Sequence, residues 1–284
     1  MRKTSLKDPY FNKLANVNDL LCYFQFADFE TGKSVESLTV NTVGKLTSEL
    51  FPDNEFSSRI QVRYEGLLDF RNSANNTAAG MSLSFGIEHL INYFGDVIEL
   101  KTEICPSSQL AKTDSNAVED NIEANIKLWG SKKKLSQIIK TVKYLRLRRN
   151  HIVHVRNNLS EDLERLIRIE GKGLNTFWNK RTNLAELDFA SKDIYQFTVN
   201  ETYTCMKLLR VCLEEIDEAI SSTLGKEELI VYMLHQITAR NPNLVGAFNT
   251  LSRKVRFSLI TYFGLELDKN VVSAQIKSAM ESAQ

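Results

Sequence analysis

Apolar residues recur along this chain at helical spacing, with polar residues filling the positions between them. Phe56, Ile60, Tyr64, Leu67 and Leu68 make one stripe, with Asp53 or Asn54 as its expected N-cap after Pro52. Leu83, Ile87, Leu90, Ile91 and Phe94 make a second, which Gly95 should end. The longest comprises Ile194, Phe197, Cys205, Leu208, Cys212, Ile216 and Ala219, and should close at Gly225. Further helices are expected near 12–26, 34–50, 117–129, 132–159, 226–240, 243–263 and 270–282. Strand-like alternation is scarce, with 97–104 as its best example and 183–189 a weaker one. Two loops are expected, Cys105 to Asp114 and Gly171 to Leu187. The pattern predicts an all-α protein.

Composition supports that reading. Only 4 Pro and 12 Gly interrupt 284 residues, and 43% hydrophobic residues suffice for a sizeable core. No apolar run reaches the roughly 18 residues that span a bilayer. No apolar segment follows the charged start that a signal peptide would need. The four cysteines, Cys22, Cys105, Cys205 and Cys212, form no metal- or disulfide-like spacing, and Cys205 and Cys212 read as small buried apolar residues. A reducing, cytoplasmic setting without a membrane partner is the simplest expectation.

Charge changes the picture. Between Ala124 and Ser160 there are ten basic residues and no acidic one, although the whole chain carries only +1. The block holds Lys127, Lys132, Lys133, Lys134, Lys140, Lys143, Arg146, Arg148, Arg149 and Arg156. Such a block attracts polyanions, or else forms a solvated face whose acids come from other helices. On a helical wheel Leu145, Ile152, Val155 and Leu159 fall within about 80° of one another, while His154 lies about 180° from Leu145, in a strip with Asn150, Asn157 and Asn158. Arg149 sits about 140° from His154.

An imidazole that titrates near neutrality serves as general acid or base, and a guanidinium stabilises charge on a phosphorane-like transition state. With an amide to orient the imidazole or the attacking 2′-hydroxyl, these are the parts of metal-independent RNA cleavage by 2′-hydroxyl attack. This block has no carboxylate cluster of the sort that holds two metal ions. Other residues weigh less: Phe177, Trp129 and Trp178 could stack on bases but are more often core, and His89 and His235 read as structural.

Arg149-Asn150-x-x-x-His154 resembles the R-N-x-x-x-H form of the Arg-x4–6-His signature of the HEPN superfamily (higher eukaryotes and prokaryotes nucleotide-binding domain). The resemblance implies a helical bundle at 51–224, flanked by helical extensions at 1–50 and 225–284. It implies a metal- and cofactor-free endoribonuclease of the toxin or antiviral, abortive-infection type, with RNA as substrate and in some cases an antitoxin protein as partner. It also implies a homodimer with a composite site. Arg149, Asn150 and His154 would be catalytic. Lys132, Lys133, Lys134, Lys143, Arg146, Arg148, His151 and Arg156 would contact RNA. The alternative is a non-catalytic module of the same architecture that binds RNA, a nucleotide or a protein partner.

Overall fold

The computed structural model describes residues 2–38, 42–115, 117–154, 158–244 and 246–281. Among them the protein is all-α. Its helices are α1 (Lys7–Glu36), α2 (Thr47–Leu50), α3 (Ser57–Ile60), α4 (Leu67–Ile104), α5 (Val118–Leu128), α6 (Ser136–Val153), α7 (Glu161–Asn179), α8 (Val199–Ser221), α9 (Lys226–Arg240), α10 (Phe248–Phe263) and α11 (Lys269–Glu281). The one extended pairing among the described residues is the isolated bridge between Leu46 and Arg63. No helix among them is long and apolar enough to cross a membrane.

Several expected boundaries move. The alternation at 97–104 belongs to α4, whose 38 residues run through Gly95. Val97, Leu100 and Ile104 are buried at helical spacing there, so tertiary packing overrides the local strand pattern. The Phe56–Leu68 stripe is not a helix face. Phe56, Ile60 and Leu68 are exposed, and the Asn54 side chain closes a local turn by accepting the Phe56 N–H at 2.9 Å. α7 occupies the first part of the expected 171–187 loop, and Gly225 is the N-cap of α9 rather than a stop for α8.

The chain forms two compact units interleaved in sequence, unlike the expected linear division at 50 and 224. One comprises Met1–Lys13, Glu88–Lys143 and Leu209–Gln284; the other comprises Leu14–Ile87 and Tyr144–Leu208. In the first, Leu229, Met233, Leu251, Val255, Leu259, Val272 and Ile276 form the core of the α9–α11 region. The same unit buries the Asp217 carboxylate, which accepts the Thr4 N–H at 3.1 Å and the Tyr93 hydroxyl at 2.9 Å. Burial raises the Asp217 pKa, and the Thr4 and Tyr93 donors oppose that rise.

In the second unit, α7 is capped by Ser160, whose hydroxyl accepts the Leu163 N–H at 3.4 Å. Its buried stripe is Leu163, Ile167, Gly171, Leu174 and Trp178. Gly171 is required by proximity: a Cβ there would lie 2.6 Å from the Phe189 carbonyl oxygen and 2.8 Å from the Ala190 Cα. Gly171→Ala is therefore expected to cost about 1–3 kcal/mol, because backbone must shift to admit the methyl. Urea denaturation checks this, and an unchanged midpoint would show that the 189–190 segment yields freely.

Candidate active site

Helix α6 carries the basic block into the second unit, and its buried positions set which basic residues reach solvent. Ile138, Val142, Leu145, Arg148 and His151 follow one stripe at three- and four-residue steps, and all are buried. Arg148 thus points inward, with 1% of its surface exposed. Its Nη1 and Nη2 donate to the two Glu201 carboxylate oxygens at 3.0 and 3.1 Å, and Nη2 also donates to the Gln196 carbonyl at 2.8 Å. The guanidinium carbon stands 4.1 Å from the Phe197 ring centroid. Arg148 is a structural cation, which corrects its assignment to RNA contact. His151 is corrected likewise: it is buried, and its ring lies 5.7 Å from that of Tyr195.

Arg149 and His154 are placed differently. Arg149 is half-buried and donates from Nη1 to the Asn150 Oδ1 at 2.9 Å. Burial lowers its pKa below the ordinary guanidinium value. The Asn150 amide therefore orients the guanidinium rather than the imidazole. Beyond the last helical residue, Val153, the His154 N–H still donates to the Asn150 carbonyl at 3.1 Å, so one residue ties to both neighbours of the motif. The His154 side chain is exposed. The apolar face expected with it holds for buried Leu145 and half-buried Ile152, while Val155 lies outside the described residues.

Beside this helix end is a cleft of about 580 Å³ within the same unit. Ile152 and Val153 form one wall, Met81 and Phe85 of α4 another, and Tyr195 and Gln196 a third. Met81, Phe85, Val153 and Tyr195 are each more than half exposed, although apolar or aromatic. Asn76 donates to the Gln196 side-chain carbonyl at 3.3 Å, so amides face one another at the rim. Among the described residues no charged side chain lines this cleft.

The other expected RNA contacts divide. Lys132 and Lys134 are exposed, in the first unit. Lys133 is committed to Glu215, at 2.8 Å, and to Glu218, which corrects its reading as a free phosphate contact. Lys143 faces Asp120 at 3.4 Å, and Arg146 is half-exposed. Arg156 lies outside the described residues. Trp178 is fully buried, and the Trp129 indole N–H donates to the Gln109 carbonyl at 3.1 Å, so both tryptophans serve packing. Among the described residues no group of three or more His, Cys, Asp or Glu side chains could hold a metal ion.

Sequence reasoning did not reach Glu201, nor the cleft walls at Met81, Phe85, Tyr195 and Gln196. Glu201 had a signal: Thr198-Val199-Asn200-Glu201 is a capping box at the start of α8, with Thr198 N–H donating to Glu201 at 3.1 Å and Glu201 N–H to the Thr198 hydroxyl at 3.1 Å. No family model, curated protein or solved structure matches this chain.

Proposed function

We propose that the chain is a metal-independent endoribonuclease of HEPN type, acting as a toxin or antiviral effector. The observation that carries this reading is the Arg149–Asn150 hydrogen bond together with an exposed His154 just past the end of α6. The neutral imidazole of His154 takes the proton of a ribose 2′-hydroxyl, and the 2′-oxygen attacks the adjacent phosphorus. Arg149 stabilises the phosphorane charge, held in orientation by Asn150. An imidazolium then protonates the departing 5′-oxygen, leaving a 2′,3′-cyclic phosphate and a 5′-hydroxyl.

One imidazole does not readily serve both sides of a phosphate, so the reading includes a homodimer in which the second copy supplies the acid. Incubating the protein with structured RNA and with duplex DNA, each in EDTA, tests the activity. Cleavage of RNA alone, ending in cyclic phosphate, supports the reading; intact RNA at micromolar protein overturns it. Mixing parental chains with His154→Ala chains tests the composite site, because a mixed dimer holds one imidazole where two are needed, so activity should fall with the square of the parental fraction. A monomer that cleaves RNA refutes it.

The exposed apolar rim of the cleft supports a second reading, a non-catalytic module that binds a protein partner such as an antitoxin there. Intact RNA together with a stable complex on that rim would select it.

Salt dependence provides a further check. Lys132→Gln combined with Lys134→Gln should reduce the log–log salt slope of single-strand RNA binding by about 1.4, at about 0.7 per phosphate. Lys133→Gln should leave the slope unchanged, since Glu215 and Glu218 already hold that charge. Filter binding between low and moderate salt measures both, and equal slopes for the parent and both variants would exclude this lysine run from the RNA track.

A further inference from the structure

A second cleft of about 580 Å³ lies in the first unit, between α9 and α10. α10 packs back along α9, and the Tyr232 and Phe263 rings, 6.3 Å apart, mark the end farthest from Arg240 and the start of α10. This antiparallel arrangement sorts the lining by chemistry. Arg240, the last residue of α9, and Arg253 and Lys254 of α10 supply three cations toward the start of α10. Tyr232, Phe257 and Tyr262 supply aromatic rings toward the other end. Between Arg253 and Tyr262, α10 advances about 13 Å at 1.5 Å per residue, comparable with the length of a nucleoside triphosphate.

Two features mark this cleft as more than a surface groove. First, among the described residues no carboxylate lines it, although its three cations gather in a chain of near-zero net charge. At its edge Glu103 accepts the Tyr232 hydroxyl at 3.5 Å. Second, Phe257 is 68% and Tyr262 48% exposed, an aromatic surface left uncovered beside positive charge. Amide and hydroxyl groups of Gln236, Asn241 and Ser258 complete the lining with hydrogen-bonding capacity for a polar ring edge or a ribose. The volume falls in the range of small-molecule sites.

We infer that the α9–α10 cleft binds a nucleoside phosphate, its base stacked on Phe257 and Tyr262 and its phosphates held by Arg240, Arg253 and Lys254. A flat, weakly polar ring joined to a multiply charged tail matches the segregated lining at both ends. A purely anionic ligand would leave the rings unused, and a purely apolar one would leave three cations without a counter-charge. The inference is independent of RNA cleavage, since none of these residues belongs to the Arg149–His154 segment or its unit.

Isothermal titration of the full chain with ATP, GTP and AMP, each with magnesium and with EDTA, tests it, with tripolyphosphate as the ring-free probe. At least one nucleoside triphosphate is expected to bind, one per chain, and more tightly than tripolyphosphate. The double change Arg253→Ala with Lys254→Ala should weaken that binding about tenfold or more, and Phe257→Ser by about tenfold through lost stacking. All three positions are exposed, so the variants should melt like the parent, which circular dichroism verifies. Four results overturn the inference: no binding at millimolar nucleotide, tripolyphosphate binding equal to that of nucleotide, folded variants that bind like the parent, or a short oligoribonucleotide held by these residues when mononucleotides are not.

Discussion

His154→Ala is expected to lower EDTA-resistant RNA cleavage by about 10²–10⁴-fold while leaving the melting transition in place. The side chain is exposed, and the hydrogen bond to Asn150 comes from the His154 backbone, which alanine retains. Arg149→Ala should lose activity to a similar degree, and Arg149→Lys should recover little, because an ammonium cannot reproduce the planar fork that Asn150 orients. Rates under single-turnover conditions, at saturating RNA, separate this from weakened binding. His154→Ala protein that cleaves at the parental rate would remove the imidazole from the mechanism.

The adjacent arginine should behave in the opposite way. Glu201→Ala is expected to destabilise the protein by about 3–5 kcal/mol, the usual consequence of stranding one member of a buried ion pair. Arg148 would keep its Gln196 carbonyl and its Phe197 ring but lose both carboxylate oxygens, in a place where water scarcely reaches it. The change also removes the capping box of α8, since the same carboxylate accepts the Thr198 N–H. Urea denaturation measures the loss, and a value below about 1 kcal/mol would show that the pair contributes little. Because Gln196 and Phe197 also line the cleft beside α6, a partly unfolded Glu201→Ala protein should lose the shape of that wall first.

Much of the helical architecture was legible in the sequence, for a physical reason. Cys205, Leu208, Cys212, Ile216 and Ala219 are buried on α8, as their spacing requires, whereas Ile194 and Phe197 are buried in the non-helical segment before α8 begins at Val199. Long helices satisfy their own backbone groups, so periodicity alone locates them. The region from Pro52 to Leu68 misled because Phe56, Ile60 and Leu68 are spaced like a helix face yet face solvent. At α6 the same periodicity held an unread signal: Arg148 stands three residues after Leu145, on the stripe that goes inward, and a cation there requires a buried acid. Charge counting grouped it with the exposed lysines. The cleft walls were not legible, because Phe85, Val153 and Tyr195 come from three separated segments that only tertiary structure assembles.

The alternation of a buried Arg148 with a half-exposed Arg149 makes α6 intolerant of changes in length. Deleting one residue between Ser136 and Tyr144 rotates everything after it by about 100° relative to what came before. Arg149 would then turn toward the slot facing Glu201, and Ile152 toward the ring of Tyr195. A four-residue deletion, close to one full turn, would nearly restore the phase but shorten the helix by about 6 Å. Insertions and deletions among forms of this protein should therefore collect in the connection between Cys105 and Ala117, and α6 should keep its length even where its surface residues drift.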